Sequence, residues 1–155
     1  MERREAIRIA IEAEIRSQNL YKALAKSFGN PQSEQVFTRL IIFEEYHEAE
    51  MRDIFATEYP GEKLELIGEL HTELKGIDLR NPNQVLEFAI SREELAENIY
   101  RKLAEQTAEA DTREILLQFA KEEAQHKEVL VAELERLQGI LEWYDPAELT
   151  GLMEE

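Results

Sequence analysis

The 155-residue sequence contains no cysteine. That absence removes disulfides, thiolate metal sites, iron–sulfur clusters and cysteine nucleophiles from consideration. Glycine and proline are scarce, at six and four residues, and they fall mainly outside the long periodic stretches, so little interrupts helix. Positive charge is also short: 18 Lys and Arg face 34 Asp and Glu, a net charge of -16. With no compact basic patch, nucleic acid and anionic membrane surfaces repel such a chain, and neither is expected as a partner. No apolar run approaches a membrane span. Met1 to Ile11 alternates charged with apolar residues, unlike the apolar core of a signal peptide, so a soluble, unexported, cytoplasmic protein is expected.

What is abundant is Ala, Glu, Leu, Lys, Arg and Ile, all compatible with helix, in a chain the length of one domain. Ile7, Ala10, Ile11, Glu14, Tyr21, Leu24, Ala25 and Phe28 recur at near-heptad spacing and predict a first helix over about 2–28. Gly29-Asn30-Pro31 supplies a stop, a cap and a favourable first residue for a second helix, 31–58. Tyr59-Pro60-Gly61 ends it and begins a less regular crossover, 59–81, in which Leu64, Ile67, Leu70 and Leu74 have the spacing of a short amphipathic helix. Asn81-Pro82 opens a third helix, 82–109, and the capping-box spacing of Asp111 and Glu114 a fourth, 112–138. In the tail, 140–155, Asp145-Pro146-Ala147-Glu148 reads as the start of a short C-terminal helix. The expectation is an all-α, four-helix bundle, one domain over 1–155, made of two helical hairpins joined by the long crossover.

The two halves match. Sliding the sequence by 79 residues places Ala10-Ile11 on Ala89-Ile90, Glu14 on Glu93, Asn19 on Asn98, Tyr21 on Tyr100, and Leu24-Ala25 on Leu103-Ala104. The same offset, without a gap, carries Glu44 to Glu123 and His47 to His126. A duplicated hairpin is the simplest account.

In the second helix the apolar seam Phe37, Leu40, Ile41, Met51, Ile54, Phe55 is interrupted by Glu44 and His47. In the fourth, Glu123 and His126 interrupt Leu116, Phe119, Leu130, Leu134, Leu137. Glu14 and Glu93 occupy core positions of the first and third helices. Four carboxylates in one core, with no Lys or Arg on the same stripes, repel each other and cost several kcal/mol or more each unless something positive joins them. Two divalent cations bring four positive charges, and a Glu-x-x-His spacing places both side chains on one helix face about a turn apart. Oxygen-rich ligation with one imidazole per ion suits iron, with manganese possible, whereas structural zinc favours cysteine. One Glu from each of two helices plus Glu-x-x-His from each of the other two is the layout of di-iron and di-manganese carboxylate bundles. Glu14, Glu44, His47, Glu93, Glu123 and His126 are therefore the candidate metal ligands.

Tyr21 and Tyr100 lie one heptad after a candidate ligand, where packing, a hydrogen bond to a ligand or electron donation all remain open. His71 lies in the crossover, outside the repeat, and reads as exposed or packed rather than metal-binding. Glu45, Glu94 and Glu122 adjoin candidate ligands, but neighbours along a helix face elsewhere; they read as surface residues or as supports of the ligands.

The strings AIEAEIRSQNLYKALA, FEEYH, AISREELAENIYRKLAE and FAKEEAQH, which cover both hairpins, resemble the rubrerythrin-like branch of the ferritin-like superfamily. The resemblance implies a ferritin-like bundle with the six named residues as di-iron ligands and Tyr21 and Tyr100 close to the cluster. It implies reduction of peroxide or dioxygen. Rubrerythrins usually carry a cysteine-ligated rubredoxin domain that delivers electrons; this chain lacks cysteine, so an external electron-donor protein is expected. Such enzymes also often have a further Glu three residues after the third-helix ligand, where this chain has Ala96, with Glu97 one position on. That departure shifts weight from peroxidase toward oxidase or ferroxidase. A non-haem di-iron oxidoreductase is the leading expectation, an iron-handling ferroxidase or storage protein the second, and a metal-stabilised bundle without turnover the third. A homo-oligomer is expected.

Overall fold

The computed structural model describes residues 2–28, 30–67, 70 and 81–143, with side chains as far as Gly139. It contains four helices, α1 (Arg3–Ser27), α2 (Pro31–Glu58), α3 (Pro82–Glu105) and α4 (Ala110–Trp143). No strand occurs among the described residues. α1 packs along α2 and α3 along α4 as two hairpins; α1 and α3 also meet, while α2 and α4 touch least. This is the architecture of a ferritin-like four-helix bundle.

Both proline-started helices begin as their local chemistry dictates. Asn30 and Asn81 have extended backbones, and their side chains accept from the next free amides, Gln32 and Ser33 in one case and Asn83 and Gln84 in the other. A proline then fills a position whose missing N–H costs nothing. The starts of α1 and α3, and of α2 and α4, each lie 79 residues apart, at 3 and 82 and at 31 and 110. The repeat in sequence is thus a repeat in structure.

Three boundaries differ from the sequence reading. α3 stops at Glu105 rather than 109: the Thr107 amide turns back to the Ala104 carbonyl, and its buried hydroxyl donates to Leu103 O and accepts from Arg3. α4 begins at Ala110, not at 112, because Glu109 holds the cap position; its carbonyl accepts from the Arg113 amide and its carboxylate from the Thr112 hydroxyl. α4 also runs through Gly139 to Trp143, since one glycine costs only about 1 kcal/mol in a helix. The short helix expected at 145–148 lies outside the described residues, as do Leu74 and His71.

The crossover is not helical over 62–67. At its start Gly61 takes φ +82°, with open space around the Cβ position, a backbone state that L side chains resist. Leu64 and Leu66, two residues apart, pack on the core while Ile67 is exposed, the alternation of an extended segment. The buried carboxylate of Glu12 accepts the Ile67 amide at 2.7 Å and is itself held by Arg8. Asn19 donates to the Leu70 carbonyl at 2.5 Å. These side chains tie the crossover to α1.

The apolar interior forms two clusters. One gathers Ile7, Ile11, Met51, Phe55, Leu103, Leu116 and Phe119 with their neighbours; the other gathers Leu20, Leu24, Phe37, Leu40, Leu86 and Leu130. Between them lies a buried polar layer. No helix among the described residues is long and apolar enough to cross a membrane.

Candidate metal centre

The layer between the clusters holds Glu14, Glu44, Glu93 and Glu123, each about 1% exposed, with His47 at 0% and His126 at 5%. Each of the four helices contributes. Their ligand-type atoms fall into two overlapping groups, Glu14, Glu44, His47 and Glu123, and Glu44, Glu93, Glu123 and His126. Within each group the atoms lie within 4.8 Å of one another. Glu44 and Glu123 belong to both groups, the position of carboxylates able to bridge two ions; Glu14 with His47, and Glu93 with His126, belong to one group each.

Both imidazoles turn Nδ1 toward the carboxylates. His126 Nδ1 is 3.0 Å from Glu44 Oε1 and 3.7 Å from oxygens of Glu93 and Glu123. His47 Nδ1 is 2.6 Å from Glu123 Oε1 and 3.6 Å from Glu14 Oε1. Despite that short separation, His47 Nδ1 and Glu123 Oε1 are not aligned as donor and acceptor, and both are buried without a hydrogen-bond partner. Glu14 Oε2 and Glu93 Oε2 are in the same state. Buried polar atoms left unmatched cost about 1–3 kcal/mol each, so four in one layer mark a site shaped for something other than its own residues. Carboxylate oxygens with one imidazole per group fit a pair of hard or intermediate divalent cations such as iron or manganese.

The electrostatics agree. Burial, then the neighbouring Glu14 and Glu93 charges, push Glu123 up to about 8. Burial and the other three carboxylates likewise raise Glu44. Burial acts to lower both histidines, but their carboxylate partners outweigh it: His126 rises to about 12, and His47 is also raised. Glu93 is lowered: burial opposes ionisation, but its close approach to Glu123 and His126 and the hydrogen bond it accepts from Tyr21 prevail. In the metal-free protein the layer thus retains protons that cations would displace.

Tyr21 and Tyr100 are buried, and each donates its hydroxyl to a carboxylate of the opposite half, Tyr21 to Glu93 and Tyr100 to Glu14. Burial, then nearby carboxylates, raise both phenols well above their ordinary range, so they remain proton donors.

Glu45 and Glu94 are exposed, the latter paired with Lys127. Glu97 is ion-paired with Arg101 one turn along α3, away from the buried layer, whereas Ala96 is buried. Glu122 behaves otherwise. It crosses from α4 to α2 and places Oε2 2.6 Å from His47 Nε2. Adjacency in sequence hid this contact, because it depends on how α2 and α4 face each other. Gln18 donates to Glu48 and to the Glu44 carbonyl, a support with no sequence signal.

The rubrerythrin family profile matches residues 5–75 and 84–151, segments that bracket the two hairpins. Among solved structures, a hypothetical protein from Pyrococcus furiosus is similar, with a TM-score of 0.81, 26% identity and 94% of each chain covered. No curated protein matches the sequence. A duplicated Glu and Glu-x-x-His layout, two buried carboxylate–imidazole groups sharing Glu44 and Glu123, and a profile match along nearly the whole chain lead to one conclusion: this chain belongs to the rubrerythrin family.

Proposed function

We propose that the chain is a non-haem di-iron oxidoreductase that reduces peroxide or dioxygen with electrons from an external donor protein. The observation that carries this reading is the pair of overlapping buried groups with unmatched polar atoms. Glu14, Glu44, His47 and Glu123 would hold one ion, and Glu44, Glu93, Glu123 and His126 the other. Bound there, two iron ions supply the electron pair that converts peroxide and two protons to two water molecules.

The protein's own residues prepare that chemistry. Glu44 and Glu123, shared by both groups, keep the two positions close. Tyr21 and Tyr100 fix the Glu93 and Glu14 carboxylates by hydrogen bonds and hold protons in the buried polar layer. The clusters on either side exclude bulk water. These 155 residues hold no cysteine, so they carry no thiolate-bound electron donor of their own.

A second reading, ferrous-ion oxidation followed by release or storage, is favoured by one feature. The position after Glu93 that often carries a further carboxylate in rubrerythrins is Ala96, and Glu97 is engaged with Arg101 instead.

The test begins with metal content: about two iron or manganese ions per chain are expected, and a single tightly bound zinc would contradict the reading. Diferrous protein mixed with peroxide should then be oxidised stoichiometrically and be re-reducible over repeated cycles. Accumulation of a ferric mineral inside a large hollow shell would select storage.

A further inference from the structure

One of the places beside the centre where the repeat that relates the two hairpins fails changes the chemistry of a histidine's partner. Glu122, whose carboxylate meets His47 Nε2 at 2.6 Å, corresponds at the 79-residue offset to Phe43. Phe43 occupies the matching place next to the other histidine: its ring meets His126 edge-on, with centroids 5.1 Å apart. Both imidazoles pack against a phenyl ring, His47 on Phe119 at 4.4 Å between centroids and His126 on Phe43, but among these neighbours only His47 has a carboxylate, that of Glu122, at Nε2.

The difference has chemical weight. A carboxylate at Nε2 accepts the ring proton, which fixes the tautomer and leaves Nδ1 as the nitrogen for a metal. It also makes that nitrogen a stronger donor, and losing such a partner typically weakens metal binding roughly 10–100-fold. Gln118 steadies Glu122 by donating to its other oxygen at 3.3 Å. A phenyl ring packs against an imidazole but accepts no proton.

We infer that Glu122 is a positioning residue that makes the two metal positions unequal, the one completed by His47 binding more tightly than the one completed by His126. This rests on the reading of the layer as a dinuclear metal centre. Unequal positions fill in a set order, and the ion beside His126 is the first to leave.

Anaerobic calorimetric titration of the metal-free full chain with ferrous ion alone tests it. Two ions sharing ligands repel each other, so two steps arise even from equal positions, and variants at these two sites decide the matter. Glu122→Gln should weaken the first step roughly tenfold or more and leave the second nearly unchanged. Phe43→Glu, at a residue already 46% exposed, should strengthen the second step alone. Cobalt(II) in place of iron gives an optical check: Glu122→Gln should shift the absorption bands of the first equivalent and not those of the second. If Glu122→Gln leaves the first step where it was, or Phe43→Glu strengthens the first step instead of the second, the positions are equal and the inference is overturned. Equal loss at both steps would reduce Glu122 to a structural role and overturn it as well. Wild-type protein that takes up no ferrous ion would overturn the metal-centre reading itself, a result distinct from two ions bound alike.

Discussion

Tyr21 of α1 donates its hydroxyl to Glu93 of α3, and the reciprocal bond joins Tyr100 of α3 to Glu14 of α1. Each hairpin therefore completes the hydrogen bonding of the other's carboxylate. Replacing Tyr21 with Phe removes the donor but keeps the ring, which stacks near Phe37 with centroids 6.1 Å apart. The buried Glu93 then loses a partner, and metal-free stability should fall by about 1–3 kcal/mol. Denaturant melts of Tyr21→Phe and Tyr100→Phe measure it, and a loss near zero would show that the carboxylates find other donors.

Replacing Glu44 and Glu123 with Leu separates a metal site from a structural polar network. Two buried acids that are costly to ionise give way to packed apolar groups while Glu14 and Glu93 still face His47 and His126, so the metal-free double variant should be at least as stable as wild type, by up to about 4 kcal/mol. Ferrous ion should stabilise wild type by about 2.7 kcal/mol at a hundredfold excess over its dissociation constant and leave the variant unmoved. Anaerobic thermal melts provide the four curves. A variant several kcal/mol less stable, with no iron response in wild type, would falsify the metal-centre reading.

The pH dependence of the metal-free protein should run downward across neutral pH. Glu123 is raised from 4.5 to about 8 in the folded chain, so between those values the unfolded chain has lost a proton that the native chain keeps, and stability falls as pH rises. His126, raised from 6.5 to about 12, contributes stability that is full below 6.5 and is lost as pH climbs toward 12. The lowered Glu93 acts in the opposite sense, its contribution being lost only in acid. Melting temperatures without metal should therefore decline from about pH 5 to pH 9. With metal, ligand deprotonation favours binding, and the decline should flatten or reverse.

Gly61→Ala isolates a backbone effect. The added methyl meets nothing within 4 Å, so only the φ of +82° opposes it, at a cost of about 1–2 kcal/mol. Urea midpoints of the two proteins suffice, and an unchanged midpoint would mean the turn rearranges freely.

Much of this was legible from residue order because the chain states it twice. Asn30-Pro31 and Asn81-Pro82 announce two helix starts in the same chemical terms. Glu14 with Glu93, and Glu44-x-x-His47 with Glu123-x-x-His126, select six positions from 34 acids and three histidines, and the structure brings all six together. The crossover misled because Leu64 and Ile67 have helical spacing, while Glu12, far away in sequence, takes the Ile67 amide and holds the segment extended. Asp111 and Glu114 have the spacing of a capping box, yet Glu109 holds the cap of α4; counting 79 residues on from the Pro31 start of α2 gives Ala110. Pairing each tyrosine with the opposite half's carboxylate depends on the contact of α1 with α3, which no local pattern encodes.

The doubling also bears on ancestry. Two separate copies of one hairpin, joined as a symmetric pair, would be compelled to surround both histidines alike, since every change in one copy appears in the other. Covalent linkage through the crossover removes that compulsion. Position 43 and position 122 vary in this chain as independent letters, so a fused duplicate can give one half to retention and the other to exchange, a division of labour that two unlinked identical copies would have no means to write.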